Sequence, residues 1–301
     1  MCGNNLAVCH VNSDTVVYGA YKTMGKIPIK AGILILRMIF ASVFIFPFLW
    51  MVSVSLQTEE EMRLAHGFFN QLVPSSWRFQ NYGDVFGVVP FLRYFYNSAR
   101  VTGLTLVGTL FTSTLVAYAF SRLRFPGRDV MVYIMLTTII LPHFILLIPM
   151  FRMYSFLGLI NTYFPLVVPA FLGGGAGNIY LIMQFFKTVP NELMEAAKLD
   201  GAGHLRIWAQ IMVPLCKPVI ASVVIFTFLF SWNDFMNPLI YINRESMMTV
   251  ALGLNAFRGQ LGVQWGYLMA ASLMAMAPVL AVFVFCQKYF VEGIKMSGVK
   301  A

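Results

Sequence analysis

The chain has 301 residues, of which 59% are hydrophobic and only 11% are charged, and its net charge at pH 7 is +9. Its mean hydropathy of +0.74 lies outside the range of soluble globular domains, so the composition indicates a protein that lies in a lipid bilayer. No basic stripe with interleaved aromatic residues accompanies the positive charge. This pattern argues against a nucleic-acid partner and favours contact with an anionic membrane surface.

Six apolar windows follow one another along the chain, each of about 20 residues, the helical length that crosses a hydrocarbon core of about 30 Å. They cover residues 38–56, 101–120, 130–151, 162–186, 219–237 and 266–286. The fifth window is weaker than the others because Asp234 lies near its end. Alternating polarity is absent from all six, so we predict an all-α integral membrane fold with six transmembrane helices.

The distribution of basic residues predicts the orientation of these helices. With the N-terminus inside, 14 of the 21 lysines and arginines lie in cytoplasmic segments, as the positive-inside rule requires. We therefore expect both termini to be cytoplasmic. The four cysteines are too few and too scattered for a disulfide framework, and the spacing of Cys2, Cys9 and His10 fits no common zinc site, so no metal site is expected.

The longest outer connection, residues 57–96, carries the acidic run Glu59, Glu60 and Glu61 and an aromatic-rich stretch at 77–86. Aromatic residues at this position favour a belt that anchors helix ends at the membrane interface. Direct contact with a soluble partner is the alternative, and the sequence leaves both interpretations open.

Residues 192–206 contain five formal charges and a histidine, although the segments on either side are apolar. Placing five charges in lipid would cost about 12 to 15 kcal/mol at about 2.5 to 3 kcal/mol each, so this stretch is predicted to lie outside the hydrocarbon. Pro190 predicts a helix start, and Asp200-Gly201 predicts a turn before a second helix. The result is a helix-turn-helix elbow on the inner membrane face. Its residues Leu193, Ala196 and Ala197 are expected to offer a small apolar surface that inserts into a groove on another protein.

The same stretch carries a specific motif. Glu195-Ala196-Ala197, three residues, Gly201, nine residues, and then Ile211, one residue, Val213 and Pro214 resembles the EAA loop of permease subunits of bacterial ATP-binding-cassette (ABC) importers. Valine in place of leucine at Val213 is its one departure from the pattern. Residues 118–128, 231–235 and 287–301 are similar to the maltose-type, six-helix permeases of the carbohydrate-uptake branch. The resemblance covers residues 33–301, so we predict an N-terminal cytoplasmic tail at 1–32 and a permease domain at 33–301.

The resemblance implies an importer in the bacterial cytoplasmic (inner) membrane. It contains this chain, a homologous permease that forms a heterodimer with it, two cytoplasmic ATPases and an extracytoplasmic solute-binding protein. The solute would be an oligosaccharide, a polyol or a sugar derivative. The chain lacks the GxxxxGK[ST] phosphate loop, so it is expected to be non-catalytic and to hold no cofactor, with ATP and Mg²⁺ bound by the partner ATPases.

In that family the elbow, here residues 187–218, is the coupling loop. The resemblance assigns to Glu195 a pairing with a basic residue that lines a groove on the ATPase. It assigns the surrounding contact and turn to Ala196, Ala197, Asp200 and Gly201.

Two stretches are candidates for the transport path. Gly174 and Asn178 belong to a glycine-rich stretch at 171–178, which either packs tightly against another helix or forms a bend that lines the pore. Trp232, Asn233 and Asp234 offer an aromatic ring, an amide and a carboxylate to a sugar, but helix termination at the interface explains them equally well. His143, the lone imidazole in a predicted span, is interpreted as a structural residue.

A secondary carrier or channel is the alternative function. Such proteins place ionisable groups near the bilayer midplane and often contain repeated halves, whereas this chain offers only His143 and the peripheral Asp234 and has no internal repeat. A membrane-embedded enzyme is a third class, but no HExxH, GxSxG or clustered Cys/His motif is present.

Overall fold

The computed structural model describes residues 26–64, 73–259 and 262–297, and the predicted tail lies almost wholly outside these ranges. Four helical segments are long and apolar enough to cross a membrane: Gly32–Ser55, Phe91–Arg122, Phe164–Thr188 and Trp265–Lys288. Two bent pairs add to them, Arg128–Ile140 with Phe144–Phe156 and His204–Leu215 with Lys217–Trp232. The described part of the chain thus contains four to six candidate spans, and six only if each bent pair is one span.

The elements follow in chain order. The longer helices and their neighbours are α1 (Lys26–Ser55), α2 (Glu59–Leu64), α3 (Gln80–Val88), α4 (Phe91–Arg122), α5 (Arg128–Ile140), α6 (Leu147–Phe156), α7 (Phe164–Gly173), α8 (Ala176–Thr188), α9 (Asn191–Leu199), α10 (His204–Leu215), α11 (Lys217–Trp232), α12 (Met236–Tyr241), α13 (Val250–Gly253) and α14 (Trp265–Ser297). Short 3₁₀ turns occupy His143–Leu146, Glu245–Met247 and Leu254–Phe257, and Trp208–Met212 within α10 is π-helical. Two short antiparallel strands, β1 (Arg258–Gly259) and β2 (Gly262–Val263), form a hairpin before α14.

Helix breaks distinguish this architecture from six straight spans. The window at 130–151 is not one helix, because its two halves meet at 89°. Pro142, which follows the end of α5, has no N–H to continue a helical hydrogen-bond ladder. The side chain of His143, which we interpreted as structural, lies outside the described residues.

The fourth and fifth windows also differ from uninterrupted helices. Gly174 and Gly175, with φ of 59° and 82°, separate α7 from α8, and only glycine adopts such angles readily. The fifth window, predicted at 219–237, ends early: α11 stops at Trp232, and α12 begins at Met236 after a break. At its other end α11 meets α10 at 83°.

The helix α4 is central to the packing, because it contacts α7, α8 and α11 along its length. Two buried clusters lie against its two ends. The elbow cluster joins α4, α8, α9 and α10 and includes Ala117, Tyr118, Phe186, Met194, Ala197 and Ile207. The loop cluster joins α3, α4, α13 and α14 and includes Val85, Tyr94, Val250, Phe257 and Ala271. The elbow therefore packs against one end of α4, and the segments that contain α3 and α13 pack against the other end.

The acidic run at 59–61 organises the connection after α1. Glu61 and Thr58 form a capping box: the Thr58 N–H donates to Glu61 Oε2 at 2.9 Å and the Glu61 N–H donates to Thr58 Oγ1 at 3.2 Å. Trp77 and Phe79 stack on one another and are largely exposed. Exposed stacked aromatics suit either an interfacial belt or a partner contact, so both interpretations of this connection remain predictions.

The predicted orientation has a direct test by cysteine labelling. We expect Ser75→Cys, at an exposed position of the connection after α1, to react with an impermeant maleimide added outside. Leu199→Cys, at a residue 90% exposed, should react only after the membrane is opened. The measurement is made in a chain whose four native cysteines are replaced by alanine. Labelling of both positions from the outside of sealed cells would contradict the orientation.

Candidate functional site: a polar elbow and a cavity joined by one helix

The turn of the elbow is built by local backbone geometry. The helix α9 begins directly after Pro190 and ends at Leu199, and Gly201 follows with φ of 78°. The Gly201 N–H donates to Lys198 O at 3.0 Å, and the Ala202 N–H donates to Ala197 O at 2.9 Å. This pair of bonds is the Schellman arrangement, which needs a left-handed residue at the position of Gly201. The predicted helix start and turn are both confirmed.

Exposure divides α9 into two faces. Met194 and Ala197 are three residues apart and are buried in the elbow cluster, at 7% and 9% exposure. The prediction that Ala197 belongs to the apolar surface offered to a partner is therefore wrong, because the helix turns this side chain inward. Glu195, Ala196, Asp200 and Gly201 are all exposed, in agreement with their predicted contact and turn positions.

Two exposed leucines extend the outward surface of the elbow and were missed by the sequence analysis. Leu199 is 90% exposed at the end of α9, and Leu205 is 69% exposed in α10, while Leu193 is 45% exposed. Their positions on either side of the Gly201 turn were the signal available in the sequence. We name Leu193, Glu195, Ala196, Leu199 and Leu205 together the elbow surface.

The charges of the elbow face solvent. Glu192, Glu195, Lys198, Asp200 and Arg206 are all exposed, and none of them forms an ion pair with another described residue. Arg206 donates from Nε to Gln210 Oε1 at 2.9 Å, one turn along α10. The remaining charges are thus free to meet charges on a partner.

A cavity of 550 Å³ lies between α4, the bent α6 and α7 segments, and the α11–α12 break. This volume falls within the range of small-molecule sites, about 300 to 1,000 Å³. Most of the wall is apolar, with side chains such as Leu146, Met150 and Phe226. The polar part of the lining consists of Thr105, Thr109, Tyr154, Asn178, Thr227, Ser231, Asp234, Asn237, Tyr241 and Thr249.

Two hydroxyls in this cavity have no hydrogen-bond partner. The Oγ1 atoms of Thr227 and Thr249 are buried without a partner among the described residues, and the two residues are 6% and 3% exposed. A threonine in a helix commonly donates to its own backbone, as Thr114 does to Leu110 O at 2.6 Å. An unpartnered buried hydroxyl costs about 1 to 3 kcal/mol. No sequence signal distinguished these two threonines from the others.

Three of the five predicted path residues meet at the cavity. Gly174, Asn178 and Asp234 line it; the Asn178 Nδ2 donates to Gly174 O at 3.2 Å. Asp234 accepts from the Asn237 side chain at 2.8 Å and from its N–H at 3.2 Å, which closes the break between α11 and α12. The glycine-rich stretch therefore bends at the cavity and also lies close to another helix.

The other two path residues lie elsewhere. Trp232 is buried at 4% exposure, donates from its indole to Ala275 O at 3.0 Å and stacks on Phe228. Asn233 is exposed and donates to Leu229 O at 3.0 Å. Both border a separate cavity of 820 Å³ beside α1 and α14. Trp232 and Asn233 thus end α11 beside a different cavity from Asp234, because Trp232 turns toward α14, and their contact with a substrate stays a prediction.

Comparison with known proteins places this architecture in a family. Residues 110–296 match the model of the binding-protein-dependent transport system inner membrane component. The chain belongs to this family. Its elbow, its cavity and its apolar helices therefore belong to a multi-pass membrane permease rather than to a secondary carrier, which was the alternative.

Curated relatives share most of the chain. It is similar to the probable ABC transporter permease protein YurM of Bacillus subtilis, with 34% identity over 255 residues, 85% of this chain and 83% of that protein. It is also similar to the arabinooligosaccharide transport system permease AraQ of Bacillus subtilis, with 30% identity over 87% of this chain and 93% of AraQ. The sn-glycerol-3-phosphate transport system permease UgpE of Yersinia enterocolitica is 32% identical over 74% of this chain and 82% of UgpE.

A solved structure shares the fold. It is a bacterial ABC transporter involved in the import of the acidic polysaccharide alginate, with a TM-score of 0.76 and 24% sequence identity over 87% of this chain and 96% of that chain.

The close approach of α7 to α4 predicts an asymmetry between two glycines. A Cβ on Gly174 would lie 2.7 Å from Ser113 N and would occupy a positive φ, whereas a Cβ on Gly177 in α8 would meet nothing within 4 Å. We expect Gly174→Ala to reduce the free energy of unfolding by about 2 to 4 kcal/mol. Gly177→Ala should leave it unchanged or raise it by about 0.5 to 1 kcal/mol.

Thermal unfolding of the two purified variants in one detergent measures this difference. Equal midpoints for Gly174→Ala and Gly177→Ala would contradict the close contact between the α7–α8 break and α4.

Proposed function

We propose that this permease forms half of the path of an ABC importer for a carbohydrate in the bacterial cytoplasmic membrane. The single observation that carries the proposal is the 550 Å³ cavity, whose mostly apolar wall carries polar side chains such as Asn178, Asp234 and Asn237. Hydroxyl, amide and carboxylate groups on an otherwise apolar wall suit an oligosaccharide, a polyol or a sugar derivative. The names of the relatives, which transport arabinooligosaccharides and sn-glycerol-3-phosphate, support the same class.

The charge of the cavity favours a neutral substrate within that class. Asp234 is the one ionisable carboxylate in its lining, and no lysine or arginine is among the described residues that line it. A phosphate or uronate placed there would meet a like charge with no basic partner nearby. A neutral sugar instead finds acceptors and donors in the amides of Asn178 and Asn237.

The proposed assembly follows from what this chain lacks. One open cavity lined by six helices offers only one side of a sugar-sized passage, so a homologous permease would supply the other side in a heterodimer. No phosphate-loop motif is present in the chain, so two partner ATPases would bind ATP and Mg²⁺ and hydrolyse the nucleotide. A solute-binding protein outside would deliver the substrate. A second solved structure that is similar to this chain, a bacterial alginate ABC transporter in complex with an alginate pentasaccharide-bound periplasmic protein, supports such a partner.

The elbow surface is the proposed contact with an ATPase. Glu195 is exposed and unpaired with any described residue, which suits a charge-assisted contact with a basic residue in a partner groove. Ala196 lets the two backbones approach closely. Leu193, Leu199 and Leu205 add apolar area around it, while Asp200 and Gly201 set the turn.

Transport in proteoliposomes tests the proposed function. The chain is reconstituted with its partner permease, ATPase and binding protein, and uptake of radiolabelled neutral oligosaccharides is measured. We expect uptake to require ATP inside and the binding protein outside, and to fall when Asn178→Ala removes an amide from the cavity wall. Uptake by this chain alone, without an ATPase, would contradict the importer assignment.

Charge reversal on the elbow surface should release the ATPase. We expect Glu195→Lys to weaken association with the ATPase by about 2 to 5 kcal/mol, because it places like charges at a partly desolvated interface. Asp129→Lys is the control, since Asp129 is an exposed carboxylate at the start of α5, outside the elbow. ATPase retained on the purified membrane complex is the measurement. Equal retention in both variants would refute the assigned contact.

The turn of the elbow has a matched glycine pair. Gly201 has φ of 78°, whereas Gly203 has φ of −71°, and a Cβ at either position meets nothing within 4 Å. Gly201→Leu should therefore cost about 1 to 2 kcal/mol through backbone strain alone and reduce binding-protein-stimulated ATP hydrolysis. Gly203→Leu should have little effect on either quantity. Loss of stimulation in both variants would show that side-chain bulk, rather than the turn, matters there.

A further inference from the structure

The cytoplasmic end of α4 makes polar contacts with the start of the elbow. Arg122, the last residue of α4, donates from Nη2 to the carbonyl oxygens of Phe186 and Val189 and from Nη1 to Asn191 Oδ1. Phe186 lies in the last turn of α8, and Asn191 is the first residue of α9. One guanidinium thus holds both sides of the joint between α8 and the elbow.

This joint needs such a link because the backbone does not provide one. The helix α8 ends at Thr188, and Pro190 adopts an extended conformation with ψ of 139°. Proline has no N–H, so no helical hydrogen bond crosses from α8 into α9 through this residue. A positive charge at the C-terminal carbonyls of α8 is also favourable to the helix dipole. Among the described contacts, the Arg122 fork is the polar connection across the joint.

A second contact holds the far side of the elbow. Tyr118 lies one turn before Arg122 on the same face of α4 and is 2% exposed. Its hydroxyl lies 3.0 Å from His204 Nδ1, in the first residue of α10 after the Gly201 turn. Met194, Ala197 and Ile207 fill the space between the two contacts. The elbow is therefore fixed to α4 at its entry and at its exit.

The other part of α4 lines the cavity. Thr105 and Thr109 contribute to its wall; Thr105 lies about 25 Å from Arg122 along a helix that rises 1.5 Å per residue. No proline interrupts α4 between these positions. A displacement of its cytoplasmic end is then carried along one continuous helix.

We propose that Arg122 and Tyr118 are positioning residues that lock both ends of the elbow to α4, so that movement of the elbow displaces the cavity wall at Thr105 and Thr109. The inference rests on the proposed function, since it describes how ATPase motion reaches the substrate cavity. Arg122 is the stronger of the two contacts, because its planar fork reaches three acceptors.

The test uses the whole complex with its ATPases and binding protein. Arg122→Gln is expected to reduce binding-protein-stimulated ATP hydrolysis about tenfold, and Tyr118→Phe about threefold, while ATPase retention and basal hydrolysis stay at the parent level. Arg122→Lys, which keeps the charge but not the fork, should retain an intermediate stimulation. Arg128→Gln is the matched control, because the described contacts of Arg128 are local, to Asp129 and to Leu123 O.

The outcomes separate this inference from the proposed function. Full stimulation in Arg122→Gln and Tyr118→Phe, with release of the ATPase by Glu195→Lys, would overturn the positioning role and leave the proposed coupling contact standing. No effect of Glu195→Lys would overturn both. An equal loss in Arg128→Gln would show that cytoplasmic positive charge, rather than the joint, is responsible. If Arg122→Gln fails to assemble, Tyr118→Phe decides by the same measurement.

Discussion

The attachment of the elbow to α4 is the interaction on which the other features depend. A short polar helix beside a membrane has too few buried contacts of its own to hold an orientation. Here Met194 and Ala197 bury one face of α9, while Arg122 contacts Asn191 at its start and Tyr118 contacts His204 at the start of α10. The opposite face is left to solvent with its charges unpaired. An elbow that is moved by a partner protein needs both features: a rigid attachment to α4 on one face, and exposed side chains that can contact the partner on the other.

Because the helices lie in lipid, much of the fold was predictable from the sequence. Charge is so expensive in lipid that the apolar windows and the polar elbow stand out directly, and most windows coincide with helices or bent helix pairs. The breaks were less predictable. Pro142 and Gly174 permit a bend without requiring one, because neighbouring helices decide whether the freed backbone groups are satisfied elsewhere. Their angles depend on tertiary contacts that composition does not encode.

The parts of the candidate site that depend on neighbouring residues in the sequence were predictable. The elbow turn follows from Asp200-Gly201 and was confirmed, since a positive φ is a requirement on one residue. The inward direction of Ala197 was not predicted, because small residues suit both a buried face and a close partner contact. Thr227 and Thr249 line the cavity from α11 and from the loop before α13, and no short motif records that they share its wall. Sites assembled by long-range packing need the structure.

The central claim is that the elbow and α4 move together. Pulsed electron paramagnetic resonance tests it directly by measuring the distance between spin labels at Ala209, which is exposed in α10, and Val107, which is 60% exposed in α4. The complete complex is examined without nucleotide and after trapping with ATP and vanadate, in the parent and in Arg122→Gln. If the elbow and α4 move as one body, the label distance in the parent is the same in both states, and it broadens or shifts in Arg122→Gln. A parent distance that changes on nucleotide trapping would contradict the account.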